Sequence, residues 1–326
     1  MIRPIYQRHT AVIIVFGITI ALSSLSLIYK IGSSQLTARW QMQIVLSRDK
    51  SILDESTVTN VSRGTGNRNK RIINGYHSFN SKQNLSFACD TCALVSSSGT
   101  LLGSKSGNDI DKYPCVFRMN DAPTLTYEKD VGSKTTARVV AHSAVKAITD
   151  YLQYNTLGNQ EANSTTFIVW GPDRNMKHGG VAYQMLRYLE VKYPFIKFFI
   201  YDPRTVAYAD KIFEKETGRP RIGSGSYLST GWFTFLLMKK VCGRIAVYGM
   251  VEEQHCNKKI LNPKLIDAPY HYYRPLGPKQ CTTYIAHERA KFGAHRFITE
   301  KKVFKKWAKE WGNVEFHSPQ WNLSDI

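Results

Sequence analysis

The amino-acid sequence predicts an α/β fold built on a doubly wound, mostly parallel β-sheet. Short apolar and β-branched runs alternate with longer segments of helical periodicity, which is the pattern of parallel strands joined by crossover helices. Ser/Gly-rich turns follow two of the apolar segments, and ligands of such sheets collect at the carboxyl ends of the strands. We expect buried strands at 93–95, 116–119, 138–141, 167–170, 198–201 and 245–248.

Helical patterns lie between the predicted strands. The second of them ends at Gly218, a residue type that commonly closes the carboxyl end of a helix. The third is apolar on all sides, which predicts a buried helix. We expect these helices over 181–193, 206–217 and 230–241.

Length and charge limit the classes of protein to which the chain can belong. Its 326 residues suit one folded domain with a tail rather than two full domains. A net charge of +19 suits a nucleic acid, a membrane surface or an anionic substrate. The sequence has no zinc-finger spacing, RNA-recognition signature or basic leucine zipper, so we do not expect nucleic acid as a partner. It does not indicate an oligomeric state.

The amino-terminal region predicts a membrane anchor. No residue is charged from Ala11 to Tyr29, and such a helix would span roughly 29 Å, close to the hydrocarbon thickness of a bilayer. Arg3 and Arg8 precede it, so residues 1–10 should stay cytoplasmic. The alternative is a cleaved signal peptide, which normally has a shorter apolar core and a small-residue cleavage site.

Residues 30–84 are rich in Ser, Thr, Asn, Gly and Arg and predict a stem, followed by a lumenal folded domain over 85–326. All six cysteines lie in that domain, which fits an oxidising compartment. Four glycosylation sequons agree with a lumenal body; they begin at Asn60, Asn84, Asn163 and Asn322.

Four short motifs carry the chemistry. The first runs Cys92-Ala-Leu-Val-Ser-Ser-Ser-Gly99 and closes with Phe117-Arg-Met-Asn120, and the second runs Gly223-Ser-Gly-Ser-Tyr-Leu-Ser-Thr-Gly231. Ser/Gly turns of this kind allow a backbone to approach a phosphate. The third motif is His271-Tyr-Tyr-Arg274, and the fourth places His295 five residues before Glu300. That spacing predicts His295 on a loop and Glu300 in the first turn of an amphipathic helix, with Phe297, Phe304, Trp307 and Trp311 as its buried stripe.

Each motif also has a structural interpretation. Residues 97–99 form an ordinary turn in that case, and Asn120 is a turn former. Ser229 is then a helix N-cap, His271 a core histidine and His295 an exposed surface histidine. Asp109 and Asp111 mimic a metal-binding Asp-x-Asp pair, but the surrounding Asn and Gly favour a loop. We therefore expect no metal and no other cofactor.

In this order the four motifs resemble the sialyl motifs of animal sialyltransferases. The resemblance covers roughly 85–321 and is narrowed by Leu228-Ser-Thr-Gly-Trp-Phe-Thr-Phe235 and Tyr270-His-Tyr-Tyr273. The sequence is similar to those of the α-N-acetylgalactosaminide α-2,6-sialyltransferases that act on sialyl-Galβ1,3GalNAc, and most similar to the ganglioside-directed members. It implies a Rossmann-like, GT-A-like glycosyltransferase domain of a Golgi type II membrane protein.

The resemblance also implies roles for individual residues. His295 becomes the general base and His271 a donor to the departing phosphate, with Glu300 in support. The CMP part of the donor CMP-N-acetylneuraminic acid is expected at Ser97, Ser98, Gly99, Asn120, Tyr227, Ser229, Thr230 and Gly231. The family usually has Asn at position 97 and Glu at position 274, where this chain has Ser97 and Arg274.

A disulfide between the first two motifs is implied as well, here Cys92 to Cys242. Cys89 with Cys115 and Cys256 with Cys281 then remain, although six cysteines on their own allow fifteen pairings.

The implied function is inverting, metal-independent transfer of sialic acid in α2,6 linkage to GalNAc of sialyl-Galβ1,3GalNAc, on a glycolipid or an O-glycan. Arg274 and Ser97 leave open a glycan-binding protein on a degenerate transferase scaffold. A sialyltransferase with another acceptor is the other alternative.

Overall fold

In the part of the chain that the structure describes, nine strands form one sheet in the order β11-β9-β3-β4-β5-β6-β7-β1-β2. The computed structural model describes residues 70–79, 83–155, 164–257 and 267–324. The strands from β11 to β7 run parallel, and β1 and β2 add two antiparallel strands at one edge. The mostly parallel sheet predicted from the sequence is confirmed. The strands are β1 Arg71–Ser78, β2 Asn84–Phe87, β3 Thr91–Val95, β4 Cys115–Met119, β5 Ala137–Ala141, β6 Thr166–Trp170, β7 Lys197–Tyr201, β9 Arg244–Tyr248 and β11 Val314–His317.

A separate two-stranded sheet pairs β8, Ser226–Tyr227, with β10, Ala294–His295. Short 3₁₀ turns follow β3 at Gly99–Leu101 and β5 at His142–Ala144. The helices are α1 Gly107–Asp111, α2 Glu128–Val131, α3 Val145–Asn155, α4 Asp173–Met176, α5 Val181–Lys192, α6 Pro203–Thr217, α7 Arg221–Ser224, α8 Thr230–Val241, α9 Gln280–Arg289 and α10 Phe297–Trp311.

Helices cover both faces of the sheet, so its central strands are buried on both sides. Val139 and Ile168 pack on one face against α8 and α10, whereas Val140 and Val169 pack on the other face against α3 and α5. A strand buried on both faces is mostly apolar at consecutive positions, which is why these strands contain apolar runs. Arg118 in β4 and Arg138 in β5 are buried exceptions that donate to backbone carbonyl oxygens. All six predicted strands and the three predicted helices are confirmed, with no end displaced by more than three residues, and Gly218 has the left-handed conformation of a C-cap.

The buried helix α8 connects the sheet to the last helix. Its Trp232 is fully buried, and its Phe235 stacks on Phe304 of α10 with 4.5 Å between ring centroids. The predicted stripe on α10 is confirmed for Phe297, Phe304 and Trp307, which are buried, while Trp311 is half-buried against the same core. This aromatic contact fixes the position of α10 and of the segment that precedes it.

Three disulfides join the described segments. Cys92 in β3 bonds to Cys242 at the end of α8, which is the bridge that the resemblance implies. The other two bridges are Cys89–Cys115 and Cys256–Cys281. The Cys92–Cys242 bridge ties the central strand β3 to the end of α8, so the chain between the two cysteines closes a loop with a sequence separation of 150 residues.

The sheet begins earlier than the folded domain predicted from residue 85. Strand β1 lies within the segment predicted as a stem, and it pairs with β2 and β7. Only Ile73 and Tyr76 of its eight residues are buried, so this strand lacks the continuous apolar run that marks the central strands. The predicted anchor at 11–29 lies outside the described residues. Within the described ranges, no helix is long and apolar enough to cross a bilayer.

Two of the predicted sequons can be located. Asn84, at the start of β2, and Asn322, near the carboxyl end, are both exposed. Asn60 and Asn163 lie outside the described residues.

The disulfides should differ in their contribution to stability. In the chain-entropy model, closing the loop between Cys92 and Cys242 stabilises the fold by about 5 kcal/mol, against about 3.5 kcal/mol for Cys256 and Cys281. We expect the double variant Cys92→Ser/Cys242→Ser to lose more unfolding free energy than Cys256→Ser/Cys281→Ser. Urea unfolding of the two variants measures the difference, and a larger loss in the second variant would contradict the assignment.

Candidate active site

The candidate active site lies at the carboxyl edge of the parallel strands. Strands β4 to β7 follow one another along the sheet on one side of β3, and the chain later adds β9 and β11 on the opposite side of β3. Ligands of doubly wound sheets bind where the strand order reverses in this way. The first motif makes its turn there: the Ser96 hydroxyl donates to the carbonyl oxygen of Gly249 at 2.8 Å, joining the ends of β3 and β9.

The third motif packs directly on this turn. The Gly99 amide donates to the carbonyl oxygen of Pro269 at 3.0 Å, and the Tyr272 amide donates to that of Ser97 at 3.0 Å. A Cβ atom at Gly99 would lie 2.4 Å from the Pro269 carbonyl oxygen, so a side chain there would force the two segments apart. The glycine of the first motif therefore serves the docking of the third.

Ser97 orients His271. Its hydroxyl lies 3.0 Å from Nδ1 of His271, so two side chains that were both predicted to contact the donor are hydrogen-bonded to each other. Burial lowers the pKa of His271, and the Arg274 guanidinium lowers it further. The adjacent Ser98 also has a partner in the protein, since its hydroxyl donates to Oε1 of the buried Gln280.

Asn120 ends β4 in a conformation that few side chains adopt. Its φ of 48° lies in the left-handed region, where asparagine is several-fold enriched. Its Oδ1 accepts from the Ala141 amide at 3.0 Å, which ties the ends of β4 and β5 together. The side-chain NH₂ remains as the group that this residue can offer to a ligand.

The second motif begins helix α8, and Ser229 is its N-cap. Ser229 Oγ accepts from the Trp232 amide at 3.2 Å, as an N-cap does. The Ser229 amide donates to Oε1 of Glu300 at 2.8 Å, and its hydroxyl donates to Oε2 of the same carboxyl group. Both donors of Ser229 are therefore used within the protein. The first-turn amides of Thr230 and Gly231, which are half-buried, are the ones that suit an anion.

Glu300 is buried in the first turn of α10, the turn in which the sequence places it. Burial raises the pKa of its carboxyl group to about 7, and the hydrogen bonds from Ser229 oppose the rise. Its neighbour Lys301 is buried too, with Nζ 4.1 Å from the ring centroid of Tyr284, and burial lowers the pKa of this amine to about 8. Glu300 therefore holds the start of α8 in place, because it accepts both hydrogen bonds from Ser229, the N-cap of that helix.

His295 is held in the tautomer that a base requires. It lies in β10, in parallel register with Tyr227 of β8, and its Nδ1 is 2.9 Å from the Tyr227 carbonyl oxygen. A carbonyl oxygen only accepts, so Nδ1 carries the proton of the neutral ring and Nε2 keeps its lone pair. Burial lowers the pKa of His295, which keeps the ring neutral near pH 7. The side chain of Tyr227 is 51% exposed beside it.

A row of aromatic rings connects the two candidate histidines. The ring centroids lie 4.3 Å apart for His271 and Tyr270, 5.9 Å for Tyr270 and Phe297, and 5.0 Å for Phe297 and His295. On the other side, a Cβ atom at Gly231 would lie 3.8 Å from Sδ of Met119, next to Asn120. The structure thus assembles the four motifs at one edge of the sheet.

Two residues that contact the candidate site escape the sequence analysis. The Nδ1 atom of His287 accepts from the His295 amide at 3.3 Å, and the two imidazoles stack with centroids 5.8 Å apart. Glu288 belongs to another helix but caps the amino-terminal end of α10: its carboxyl group accepts hydrogen bonds from the amides of Ile298 at 3.0 Å and Thr299 at 3.3 Å. Both lie on α9, and only the packing of α9 against α10 gives them these roles.

The Asp-x-Asp pair has structural contacts. Asp109 pairs with Lys112 at 2.7 Å, and Asp111 accepts from the amides of Ser133 and Lys134. Among the residues that the structure describes, no group of three or more His, Cys, Asp or Glu side chains is arranged to hold a metal ion.

Comparison with known proteins decides the family. The profile of glycosyltransferase family 29 (sialyltransferase) matches residues 45–311 of the chain. The chain belongs to the family 29 sialyltransferases. Its family match begins inside the predicted stem, as the early strand β1 does.

Similar family 29 enzymes have names that specify a linkage and an acceptor. Human α-N-acetylgalactosaminide α-2,6-sialyltransferase 3 is 44% identical over 252 residues, which cover 77% of this chain and 80% of the relative. The human α-N-acetyl-neuraminyl-2,3-β-galactosyl-1,3-N-acetyl-galactosaminide α-2,6-sialyltransferase is 45% identical over 236 residues, 72% of this chain and 75% of the relative.

A solved structure is also similar to this chain. The crystal structure of a mammalian sialyltransferase in complex with Gal-β-1-3GalNAc-ortho-nitrophenol aligns with a TM-score of 0.45 and 22% identity, covering 70% of this chain and 69% of that chain.

Replacing Glu300 should change how stability depends on pH. A buried carboxyl group with a pKa of about 7 binds a proton more tightly in the folded than in the unfolded state. Its contribution is fully present below the unfolded pKa near 4.5 and is lost as the pH rises through 7. Relative to Glu300→Gln, the wild-type protein should therefore lose unfolding free energy between pH 5 and pH 8. Urea unfolding across that range tests this, and parallel curves for the two proteins would contradict it.

Proposed function

We propose that this protein transfers sialic acid from CMP-N-acetylneuraminic acid in α2,6 linkage to the GalNAc residue of sialyl-Galβ1,3GalNAc. Membership of family 29 and the names of relatives at 41–45% identity support the reaction and the acceptor. The observation that carries the proposal is the hydrogen bond from Nδ1 of His295 to the Tyr227 carbonyl oxygen, because it leaves Nε2 as a base.

In the proposed reaction, Nε2 of His295 accepts the proton of the GalNAc 6-hydroxyl. The hydroxyl oxygen forms a bond to the anomeric carbon of the donor while the bond from that carbon to the phosphate oxygen breaks. CMP leaves with the electron pair, and single displacement inverts the configuration. A neutral histidine with a lowered pKa stays available as a base in a mildly acidic lumen.

The departing CMP is proposed to lie at the carboxyl edge of the sheet. The amides of Thr230 and Gly231 at the start of α8 offer hydrogen bonds and the positive end of a helix dipole to its phosphate. His271, oriented by Ser97, donates to the same group, and the NH₂ of Asn120 is available to the nucleoside. A monophosphate carries less charge than a diphosphate, so these groups suffice and we propose that no metal or other cofactor is used.

The cellular setting is part of the proposal. We infer a single-pass type II Golgi membrane protein, anchored by residues 11–29, whose GT-A-like domain is lumenal. The three disulfides and the exposed sequons at Asn84 and Asn322 fit that compartment. The alternative of a glycan-binding pseudoenzyme is less well supported, because His295 is arranged as a base and the relatives are named as transferases.

Removing the base should abolish most turnover. We expect His295→Ala to lower kcat by at least about 100-fold, the usual scale of general base catalysis. The affinity for CMP should change little, since His295 faces the acceptor hydroxyl. Transfer of labelled sialic acid and calorimetric titration with CMP measure the two effects. His178→Ala, at an exposed histidine, is the matched control, and near-normal turnover in His295→Ala would remove the assignment.

Chelation should leave the reaction unchanged. The groups proposed to stabilise the phosphate are amides and an imidazole, so EDTA should alter the transfer rate by less than about twofold, on the ordinary scale of assay variation for a reaction without metal catalysis. Loss of activity in EDTA that is restored by a divalent cation would contradict metal independence.

A further inference from the structure

The strand that carries His295 is short and depends on contacts outside its own sheet. Strand β10 has two residues and pairs with β8, which also has two, so few hydrogen bonds hold its backbone. Just before the strand, the Gly293 amide donates to the carbonyl oxygen of Gly225 at 2.8 Å. The amide of His295 itself donates to Nδ1 of His287 on α9 at 3.3 Å. The position of the proposed base therefore depends on a side chain of another helix.

His287 also contacts the base through its ring. The two imidazoles lie nearly parallel, with an interplanar angle of 10° and ring centroids 5.8 Å apart. The His287 ring lies 5.2 Å from the ring of Phe297, the first residue of α10. Arg296 fixes the backbone at the end of α9, since Nη1 donates to the His287 carbonyl oxygen at 2.6 Å and Nη2 to that of Ala290 at 2.7 Å. The end of α9 is thus attached to the segment that leads from the base into α10.

The protonation state of His287 decides whether its contact with the amide exists. A backbone N–H only donates, so in the neutral ring Nδ1 has the lone pair and Nε2 carries the proton. A protonated imidazole has an N–H on both nitrogens and cannot accept from the amide. Its charge would also repel the charge that His295 acquires when it takes a proton from the acceptor. Both effects act against His295 as a base.

Charged groups lie on the elements around the two imidazoles. They are Glu288 and Arg289 on α9, Arg296 before α10, and Glu300 and Lys301 within α10, whereas β8 has no charged side chain. The Glu288 carboxyl group is bound to amides at the start of α10, and that of Glu300 is bound to Ser229. Burial lowers the pKa of His287, and the guanidinium of Arg296 lowers it further, so the ring is neutral near pH 7.

We propose that His287 is a positioning residue for the base. Its neutral imidazole holds the backbone of His295 in place, and its protonation releases that backbone and opposes proton transfer to Nε2 of His295. The enzyme therefore requires a second neutral histidine for turnover, and this one does not touch the substrates. The inference rests on the proposed function, because it concerns the base of that reaction.

The pH dependence of kcat/KM tests the titration of His287. In His287→Asn, the amide oxygen can accept in place of Nδ1 and does not titrate. Below the pKa values of both histidines, the wild-type rate should fall about tenfold more per pH unit than the rate of His287→Asn, because one proton fewer inactivates the variant. His178→Asn, at an exposed histidine, is the matched control and should keep the wild-type slope. An equal slope in His287→Asn would overturn the inference.

A second variant separates the ring of His287 from its hydrogen bond. His287→Phe keeps a flat ring beside His295 and Phe297 but removes the acceptor. At pH 8 it should lower kcat about tenfold, the scale of one lost hydrogen bond, and leave KM for donor and acceptor within about twofold. Full turnover in His287→Phe would contradict the positioning role. The pH comparison with His287→Asn decides the question even if the phenylalanine variant does not fold.

A measurement without turnover separates this inference from the proposed function. Nitrogen NMR of the histidine rings in the full-length protein reports tautomer and titration, with signals assigned through His287→Asn and His295→Ala. We expect the neutral His287 ring to carry its proton on Nε2, and the pKa of His295 to be higher in His287→Asn, because the variant lacks the neighbouring charge. That result supports the inference even if the protein transferred no sialic acid. A proton on Nδ1 of neutral His287, or an unchanged pKa of His295, would overturn it.

Discussion

The buried carboxyl group of Glu300 is the contact on which the arrangement of the site depends. It accepts both hydrogen bonds that Ser229 donates, so the last long helix is fixed to the beginning of α8. The residues just before that helix are thereby placed beside β8, where His295 pairs with Tyr227. One hydrogen-bonded contact thus sets the position of the base relative to the helix start that suits a phosphate.

The same contact has an electrostatic consequence. An ionised carboxylate beside the start of a helix repels a second anion at the neighbouring first-turn amides, even though it accepts from a different amide. Burial raises the pKa of the Glu300 carboxyl group to about 7, so the group is largely protonated below that pH. The conditions that keep Glu300 protonated are those in which the α8 amides are most open to a phosphate.

Much of the core could be predicted from the sequence, and the edges could not. Strands such as β5 are buried at every position, and their apolar runs carry that signal directly. Strand β1 buries only two of its eight residues and lies in a polar segment, so the sequence predicts a stem there, and only the pairing with β7 reveals a strand. Strand β11 has four residues, too few for a periodic pattern to be distinguished from a loop.

By itself, the sequence determined the α/β class and the four motifs in their order, because these depend on local composition and spacing. The resemblance of the motifs to sialyl motifs then singled out His295, His271 and Asn120 as candidate site residues. Only the tertiary structure decided that Ser97 serves His271, that Ser229 serves Glu300, and that His287 stands beside His295. Hydrogen bonds between residues far apart in the chain set these roles, and spacing along the chain carries no information about which distant donor meets which acceptor.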